Sequence, residues 1–415
     1  MKTTLALGLL LFCFSALAET RLVHTAPGTT FQQLAEITGT EGGDDFGLSV
    51  AVSGNTLVVG APLASNDCDN CGAAYVYTAA NGDWTNLTQV ATLTPPSGQT
   101  GFGNAVAING DTIVIGDDGV EGAVAYVYVN PSGNATATAV LTTSVETGDV
   151  IASIAIQGGT IVLGMPFAIP EGRAEGAAFV YVEPSTGWAN MTESAKLIST
   201  DENTDFGYSV SISNRNIAVG APEVAIDGVE QGAAYLFVEP AGGWNGTWGP
   251  TTEFEASNGT RKAVIGTSVS VSGDTVAVGA PDEAEGSAVN EGAIYIFTEP
   301  TSGWPKTMTE TAELTASNAK AGSQLGYSVA LSGRTLIAGA PFEDSQQGLV
   351  YVFSEPASGW QGAETQVVSA PDGAANEIIG YSVSLGGEVI VAGGPGWPHG
   401  SLSENGAAYV FGKTQ

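Results

Sequence analysis

Acidic side chains are the groups in this sequence whose number and spacing could support chemistry. The chain has 43 Asp and Glu against 11 Lys and Arg, a formal net charge of -32. The candidate binding residues cluster between apolar segments, and they are Asp44, Asp45, Asp67, Asp69, Asp117, Asp118, Asp201, Glu202, Asp205, Asp282, Glu283, Glu285, Glu343 and Asp344. Carboxylates in such clusters can bind calcium, attract basic ligands, or act in pairs on glycosidic bonds.

Other residue types give catalysis little support. The only histidines are His24 and His399, and a nucleophile activated by a histidine base, or a metal hydrolase cluster, needs more. The sequence therefore favours a protein that is not an enzyme, with a glycan-active hydrolase or lyase as the weaker alternative. The absence of Lys and Arg clusters also argues against nucleic acid as a partner.

The N-terminal segment has the features of a secretory signal peptide. Lys2 precedes an apolar region from Leu5 to Leu17, and Ala16-Leu17-Ala18 forms a small-x-small cleavage site. We expect residues 1–18 to be removed and 19–30 to form an N-terminal lead. No later stretch is apolar and long enough to predict a membrane span, so the sequence predicts a secreted, extracellular protein.

Two cysteines remain after signal removal, Cys68 and Cys71. An exported protein favours a disulfide that tightens this short loop, with two free thiols as the alternative. Five Asn-x-Thr sequences are candidate glycosylation sites, and they are Asn86, Asn134, Asn190, Asn245 and Asn258. Whether they are used depends on the host.

The elements that must position the acidic loops repeat along the chain. A Gly-Ala-Pro type sequence recurs every 50 to 60 residues or so, with its first glycine at Gly60, Gly116, Gly164, Gly220, Gly279, Gly339 and Gly393. Each unit predicts four strands, A to D, with two-residue turns such as Gly54-Asn55 between A and B, and with a polar strand D such as Thr309 to Leu314 in the fifth unit. Units of this length with several short strands are typical of β-propeller blades.

The sequence predicts an all-β fold, a seven-bladed β-propeller of four-stranded blades. The last unit has no strand D of its own, whereas a segment of that type lies near the N-terminus. We expect this N-terminal strand to complete the last blade and close the ring, which removes an exposed sheet edge. The propeller spans 31–415, with blades near 46–94, 102–144, 150–199, 206–257, 265–316, 325–369 and 379–411 plus 31–38.

A recurrent turn between strands C and D carries a tryptophan. It appears as Glu183-Pro184-Ser185-Thr186-Gly187-Trp188 and returns after Glu239, Glu299 and Glu355. Repetition in four blades predicts a structural role, with the tryptophan packed over the rim of the blade.

Phe-Gly followed by Gly-Ala-Pro resembles the FG-GAP repeat of the integrin α-subunit head. The likeness recurs in seven units over nearly the whole mature chain, although the third unit lacks Phe-Gly. The resemblance implies a propeller that binds extracellular ligands. The family's Asp-x-Asp-x-Asp-Gly calcium loop between strands A and B is replaced here by a two-residue turn, so its calcium sites are not carried over.

The acidic clusters fall mainly in the D-to-A and B-to-C loops, which emerge on one face of a propeller. We expect this acidic loop face to recognise an extracellular protein or glycan, with bound cations, calcium included, as a further expectation. A solubilising role for the acids is the competing interpretation. A carbohydrate-binding lectin is the alternative function, but the dissimilar loops favour one composite site near the axis.

Overall fold

In the structure, a computed structural model, seven mainly antiparallel sheets are arranged as the blades of a β-propeller. The residues it describes are 30–39, 43–66, 70–96, 100–118, 122–144, 150–170, 175–199, 204–226, 228–284, 290–318, 320–371, 375–396 and 405–413. The predicted fold class is confirmed. Blades are numbered here in chain order from residue 46.

Strand A is the innermost strand of each blade and lines a central channel. In blades 1 to 7 it spans Ser49–Ser53, Val106–Asn109, Ser153–Gln157, Ser209–Ser213, Ser268–Ser272, Ser328–Ser332 and Ser382–Gly386. Small and β-branched residues alternate along it, which suits a crowded ring of backbones. A two-residue turn joins it to strand B, as predicted, and Gly54 takes a left-handed φ of 57° there.

Strands B and C are the buried middle of each blade, and their residues are apolar on both faces. Strand B spans Thr56–Ala61, Thr112–Gly116, Thr160–Met165, Asn216–Ala221, Thr275–Ala280, Thr335–Ala340 and Val389–Gly394. Strand C spans Ala73–Ala79, Ala125–Val129, Ala177–Val182, Ala233–Val238, Ala293–Thr298, Leu349–Ser354 and Ala407–Lys413. Neighbouring blades pack these faces together, so the core runs as apolar clusters from seam to seam.

Strand D forms the outer edge of each blade. In blades 1 to 6 it spans Leu87–Leu93, Ala139–Thr142, Ala195–Leu197, Thr252–Glu255, Ala312–Leu314 and Gln366–Val368. In blade 7 this position is filled by Phe31–Thr38, which pairs antiparallel with Ala407–Lys413. The prediction that an N-terminal strand closes the ring is confirmed.

Three blades carry a fifth strand that the sequence did not indicate. Met191–Thr192, Gly246–Trp248 and Thr307–Thr309 each pair in parallel with strand D of the preceding blade. Strand D of blade 5, predicted as one strand from Thr309 to Leu314, is therefore split in two. The chain turns between the halves because the Glu310 carboxylate accepts a hydrogen bond from the Ser257 backbone NH of blade 4, at 2.9 Å.

The remaining regular elements are short. Ala80–Gly82 forms a 3-10 turn, Glu343–Gln346 a single helical turn, and Ala225–Ile226 with Val229–Glu230 a small hairpin. Across the ranges that the structure describes, no helix has the length and apolar character needed to cross a membrane.

The Phe-Gly and Gly-Ala-Pro motifs lie together at the contact between adjacent blades. In blade 4 the Gly207 backbone NH donates to the Gly220 carbonyl oxygen at 3.0 Å, which ties the start of strand A to the end of strand B. The Gly266 carbonyl oxygen of blade 5 lies over Gly220 and accepts the Ser209 hydroxyl at 2.8 Å. A Cβ on Gly220 would overlap that oxygen. The motif thus marks the closest approach of two backbones.

The tryptophans of the C-to-D turns have the predicted structural role, but they pack into the seams between blades, where the prediction had placed them over the rim of a blade. Trp84, Trp188, Trp244 and Trp360 are each more than 90% buried within core clusters shared by two blades. Trp304 is partly buried and contacts Phe254 of the preceding blade, with ring centroids 5.5 Å apart. Their role in this structure is to fill the core.

Candidate functional site

The central channel widens at the end where the seven A strands begin. Its inner part encloses about 320 Å³ and is lined by strand A backbones and aliphatic side chains. The wider mouth encloses about 420 Å³ and lies on the face of the D-to-A and B-to-C loops. The mouth therefore opens on the face that carries the acidic clusters.

One position of the repeat contributes a side chain to the mouth in every blade. It is the residue that directly precedes the first serine of strand A or its equivalent, and in blades 1 to 7 it is Leu48, Asn104, Ala152, Tyr208, Thr267, Tyr327 and Tyr381. The sheet geometry aims this position at the axis in every blade, but the residue changes from blade to blade. Seven equivalent positions therefore build one asymmetric site.

Three tyrosines from different blades meet at the mouth. The rings of Tyr327 and Tyr381 have centroids 4.8 Å apart, and Phe342 packs edge-on to Tyr327 at 5.9 Å. Burial, and then the neighbouring Tyr381, raise the pKa of Tyr208, which belongs to blade 4 on the other side of the ring. Burial raises the pKa of Tyr327 as well, with Tyr381 and Tyr208 adding to the effect. The Tyr208 and Tyr327 hydroxyls therefore stay protonated at neutral pH and can donate hydrogen bonds to a ligand.

Carboxylates lie beside the tyrosines. Burial raises the pKa of Asp205, and the negative charge of Glu223 raises it further. Asp282 accepts hydrogen bonds from Asn290 Nδ2, at 3.1 Å, and from Gln324 Nε2, and its charge contributes to the raised pKa of Tyr327. Asp205 and Asp282 are thus the predicted site residues whose charges lie close to Tyr208 and Tyr327, although neither lines the mouth itself.

Exposed apolar side chains extend this surface. Phe167 is 50% exposed and Tyr208 is 38% exposed, and Leu63 of blade 1 is 40% exposed. An aromatic surface flanked by carboxylates can hold a ligand by stacking, by hydrogen bonding and by attraction of positive charge.

Four other predicted acids are buried beneath the loops: Asp44, Asp117, Glu283 and Glu343. Glu283 accepts hydrogen bonds from the Thr260 backbone NH at 3.2 Å and from the Tyr295 hydroxyl at 3.1 Å. Glu343 accepts from the Ser323 hydroxyl and pairs with Lys320 Nζ at 2.8 Å. These contacts hold the loops in place, so the two glutamates act on the framework of the face.

Asp117 and Asp118 form a carboxylate pair at the seam between blades 2 and 3. Asp117 accepts a hydrogen bond from the Val124 backbone NH at 3.2 Å. Burial raises the pKa of Asp118 to about 7, the charge of Asp117 adds to the rise, and a hydrogen bond with the Ile151 backbone opposes it. Asp118 therefore changes charge near neutral pH.

The other predicted residues are dispersed or lie outside the described ranges. Asp45 is half-buried with a left-handed φ of 52°, and Asp344 is exposed and pairs with Lys320 Nζ at 2.5 Å. Cys71 is disulfide-bonded. The residues that lie outside the described ranges are Asp67, Cys68, Asp69, Asp201, Glu202 and Glu285. Among the described residues, no three His, Cys, Asp or Glu side chains converge closely enough to hold a metal ion.

The five Asn-x-Thr asparagines are all exposed: Asn86, Asn134, Asn190, Asn245 and Asn258. The first four follow strand C of their blades and so lie on the face opposite the mouth. The Asn258 amide donates to Glu313 Oε2 at 3.0 Å. Sugars on the first four would leave the mouth uncovered.

Sequence reasoning based on the acids missed the aromatic part of the site and Glu223. A signal was available, because the three tyrosines occupy the same place after Phe-Gly or its equivalent, in the fourth, sixth and seventh units. The flanking glycine and serine recur, whereas the residue at this one position varies between units. A position of this kind is a candidate for ligand contact.

The closed ring and its single asymmetric mouth define a β-propeller of the binding or adhesion type. The FG-GAP repeat family model matches six segments, 32–77, 87–128, 191–237, 248–297, 308–353 and 363–411, and the chain belongs to this family. The unit left unmatched is the third blade with strand D of the second, where Val150-Ile151 stands in place of Phe-Gly. No curated protein matches the chain in sequence.

Proposed function

We propose that this protein is a secreted extracellular binding module that recognises a protein or glycan ligand at the channel mouth. The observation that carries the proposal is the convergence of Tyr208, Tyr327 and Tyr381 beside Asp205 and Asp282. The mouth is concave, largely apolar and edged with a few polar groups, which are general features of ligand sites. Its function is binding rather than catalysis.

The charge of the molecule favours a basic protein surface as the ligand. A net charge of -32 attracts positively charged partners over long range, and the mouth acids add a local contribution. Tyrosine supplies large contact areas with little loss of side-chain entropy, as in many protein interfaces. Association should therefore be fast at low salt and slower at high salt.

A lectin is the second candidate function, because tyrosine rings also stack on sugars. The positions of the tyrosines bear on the number of sites that a glycan would occupy. Only three of the seven equivalent positions carry tyrosine, so a glycan would bind one composite site and not one site per blade. A glycan array that reveals multivalent binding of a monosaccharide would contradict the single-site proposal.

The binding test compares two probe classes on the immobilised mature protein. Fluorescent basic peptides rich in Lys and Arg form one class, measured from low to high salt, and a glycan array forms the other. The variant Tyr208→Ala should weaken binding of the recognised class at least tenfold. Val182→Ala, at an exposed apolar side chain on the opposite face, should leave binding unchanged.

Equal affinity of the Tyr208→Ala and wild-type proteins for every bound probe would refute the mouth as the site. Binding that Val182→Ala weakens instead would place the ligand on the opposite face. A calcium titration by calorimetry tests the cation proposal separately, with a rise in melting temperature as the expected accompaniment of site binding.

Export can be tested on the protein itself. We propose that the secreted protein begins at Glu19 and carries N-linked sugars when its host glycosylates. N-terminal sequencing of the exported chain and a mass shift on enzymatic removal of N-glycans would check both points. An exported chain that retains residues 1–18 would contradict the cleavage site.

A further inference from the structure

The seam between blades 1 and 2 has an open pocket at the place where the other six seams hold an aromatic side chain. In five of the seven blades, the C-to-D turn places a tryptophan in the seam with the preceding blade, and these are Trp84, Trp188, Trp244, Trp304 and Trp360. In the seam between blades 6 and 7, the buried Phe31 is part of the shared cluster instead. Each of these six seams therefore has an aromatic ring contributed by its C-to-D turn or by the N-terminal strand.

Blade 2 departs from this pattern. After strand C its chain runs Asn130-Pro131-Ser132-Gly133 before it bridges back to blade 1, and its connection to strand D has no tryptophan. Gly133 already bridges to Ala91 of blade 1, so the chain returns to the sheet before a bulky side chain could be inserted. A pocket of about 250 Å³ lies in this seam.

The pocket is lined by counterparts of residues that share a cluster with Trp84. Val76 and Val90 of blade 1, with Ile108 and Ile113 of blade 2, form its apolar walls. The strand pairings make them equivalent to Val410, Leu34, Val52 and Leu57, which accompany Trp84 in the seam between blades 7 and 1. The walls that accept an indole ring are thus present, while the ring is not supplied by this chain.

We propose that the seam between blades 1 and 2 binds a small planar aromatic molecule of indole size. Apolar cavities of about 150 Å³ bind benzene-sized molecules, so a pocket of this larger volume suits a bicyclic ring. The exposed Asp111 and the Asn130 backbone lie at the pocket. The carboxylate favours a ligand with an ammonium group over one with a carboxylate.

This site is independent of the channel mouth, because it lies at the turns on the opposite face. Its test uses three probes that differ only in charge: tryptamine, indole and indole-3-acetate. Calorimetry and ligand-observed NMR on the mature protein should show saturable binding of tryptamine, weaker binding of indole, and the weakest binding of indole-3-acetate. Asp111→Asn should reduce the preference for tryptamine over indole.

A turn graft gives the decisive variant. Residues 130–133 are replaced by the longer turn of blade 4, from Glu239 to Gly246, which carries Trp244. The grafted tryptophan should fill the pocket, reduce tryptamine affinity at least tenfold and raise the melting temperature. The same graft with alanine in place of the tryptophan is the matched control and should keep binding.

A second variant tests the idea without altering the pocket. Trp244→Gly opens the equivalent seam between blades 3 and 4, where Arg215 stands in place of Asp111, and should add a second site for the uncharged indole, seen as a doubled stoichiometry. Lack of saturable tryptamine binding by the wild-type protein would overturn the proposal. So would a tryptophan graft that folds, as judged by its melting curve, and still binds tryptamine as the wild type does.

Discussion

Single glycines hold adjacent blades at their closest approach. Each first glycine of the Gly-Ala-Pro motif faces a carbonyl oxygen of the next blade, except in blade 2, where Gly116 faces the Ile151 side chain. Ile151 stands where the other six units have the glycine of Phe-Gly or its equivalent, because the strand register aligns Ser153 with Ser209. The third unit has no Phe-Gly, and Gly116 of blade 2 therefore does not make the tight contact with a backbone carbonyl oxygen that the other glycines make.

Gly220→Ala should destabilise the fold. The added methyl group would overlap the Gly266 carbonyl oxygen, a backbone atom that cannot move without shifting blade 5. We expect a loss of about 1–3 kcal/mol or more in the free energy of unfolding. Urea unfolding measures the change, with Gly249→Ala as the control, because Gly249 has open space around it. Similar stabilities for the two variants would contradict the role assigned to Gly220.

Asp118 should make stability depend on pH near neutrality. Its pKa is about 7 in the folded state against an ordinary value of 3.8, so the folded state binds a proton that the unfolded chain does not. This contribution is fully present below about pH 4 and is lost as pH rises through 7.

Asp118→Asn should therefore raise the melting temperature at pH 8 and reduce its change between pH 6 and pH 8. Thermal melts at both pH values measure this, and Glu388→Gln, at a side chain that is 76% exposed, is the control. An unchanged pH dependence in Asp118→Asn would show that another group is responsible.

Some carboxylates act at the scale of the strand, by clamping one blade to the next. Glu193, Glu310 and Glu364 each accept the backbone NH of a serine that follows strand D of the preceding blade, all at 2.9 Å. These acids lie on the outer rim and contribute to the architecture. The role of an acidic residue in this chain therefore depends on where the residue lies in the blade.

The N-terminal strand is the element on which closure of the ring depends. A chain that lacks residues 1–38 would expose the edge of Ala407–Lys413 and the apolar seam that contains Phe31. We expect a much lower melting temperature, faster proteolysis and aggregation through the open edge. A chain that lacks only residues 1–29 is the control and should melt like the mature protein. Equal melting of both truncated chains would refute the closing role of Phe31–Thr38.

At the scale of the whole molecule, the net charge opposes compactness. Like charges repel one another more in the folded state, and salt screens them with a Debye length of about 10 Å at 0.1 M. The melting temperature should rise between 10 and 300 mM NaCl. A flat salt response would indicate that the surface acids are locally compensated. A larger rise in CaCl2 at matched ionic strength would reveal specific cation sites.

Much of the fold could be predicted from the sequence because the patterns that specify turns and strands recur in seven units. The A-to-B turns have glycine at their left-handed position in six blades and Asn214 in blade 4, strands B and C needed apolar runs, and the missing last strand D left Phe31–Thr38 as the segment to close the ring. The split of strand D in blade 5 did not follow, because parallel pairing with blade 4 depends on a neighbour about 50 residues away.

The sequence by itself determined the repeat, the number of blades, the closure of the ring and the acidic character of the loops, since all of these depend on local pattern. Only the tertiary structure decided which acids face a ligand. Burial separates Glu283 and Glu343, which hold loops, from Asp205 and Asp282, which lie close to Tyr208 and Tyr327. Convergence of tyrosines from blades 4, 6 and 7 is likewise a property of the closed ring, because residues far apart in the chain meet only where seven strands share one axis.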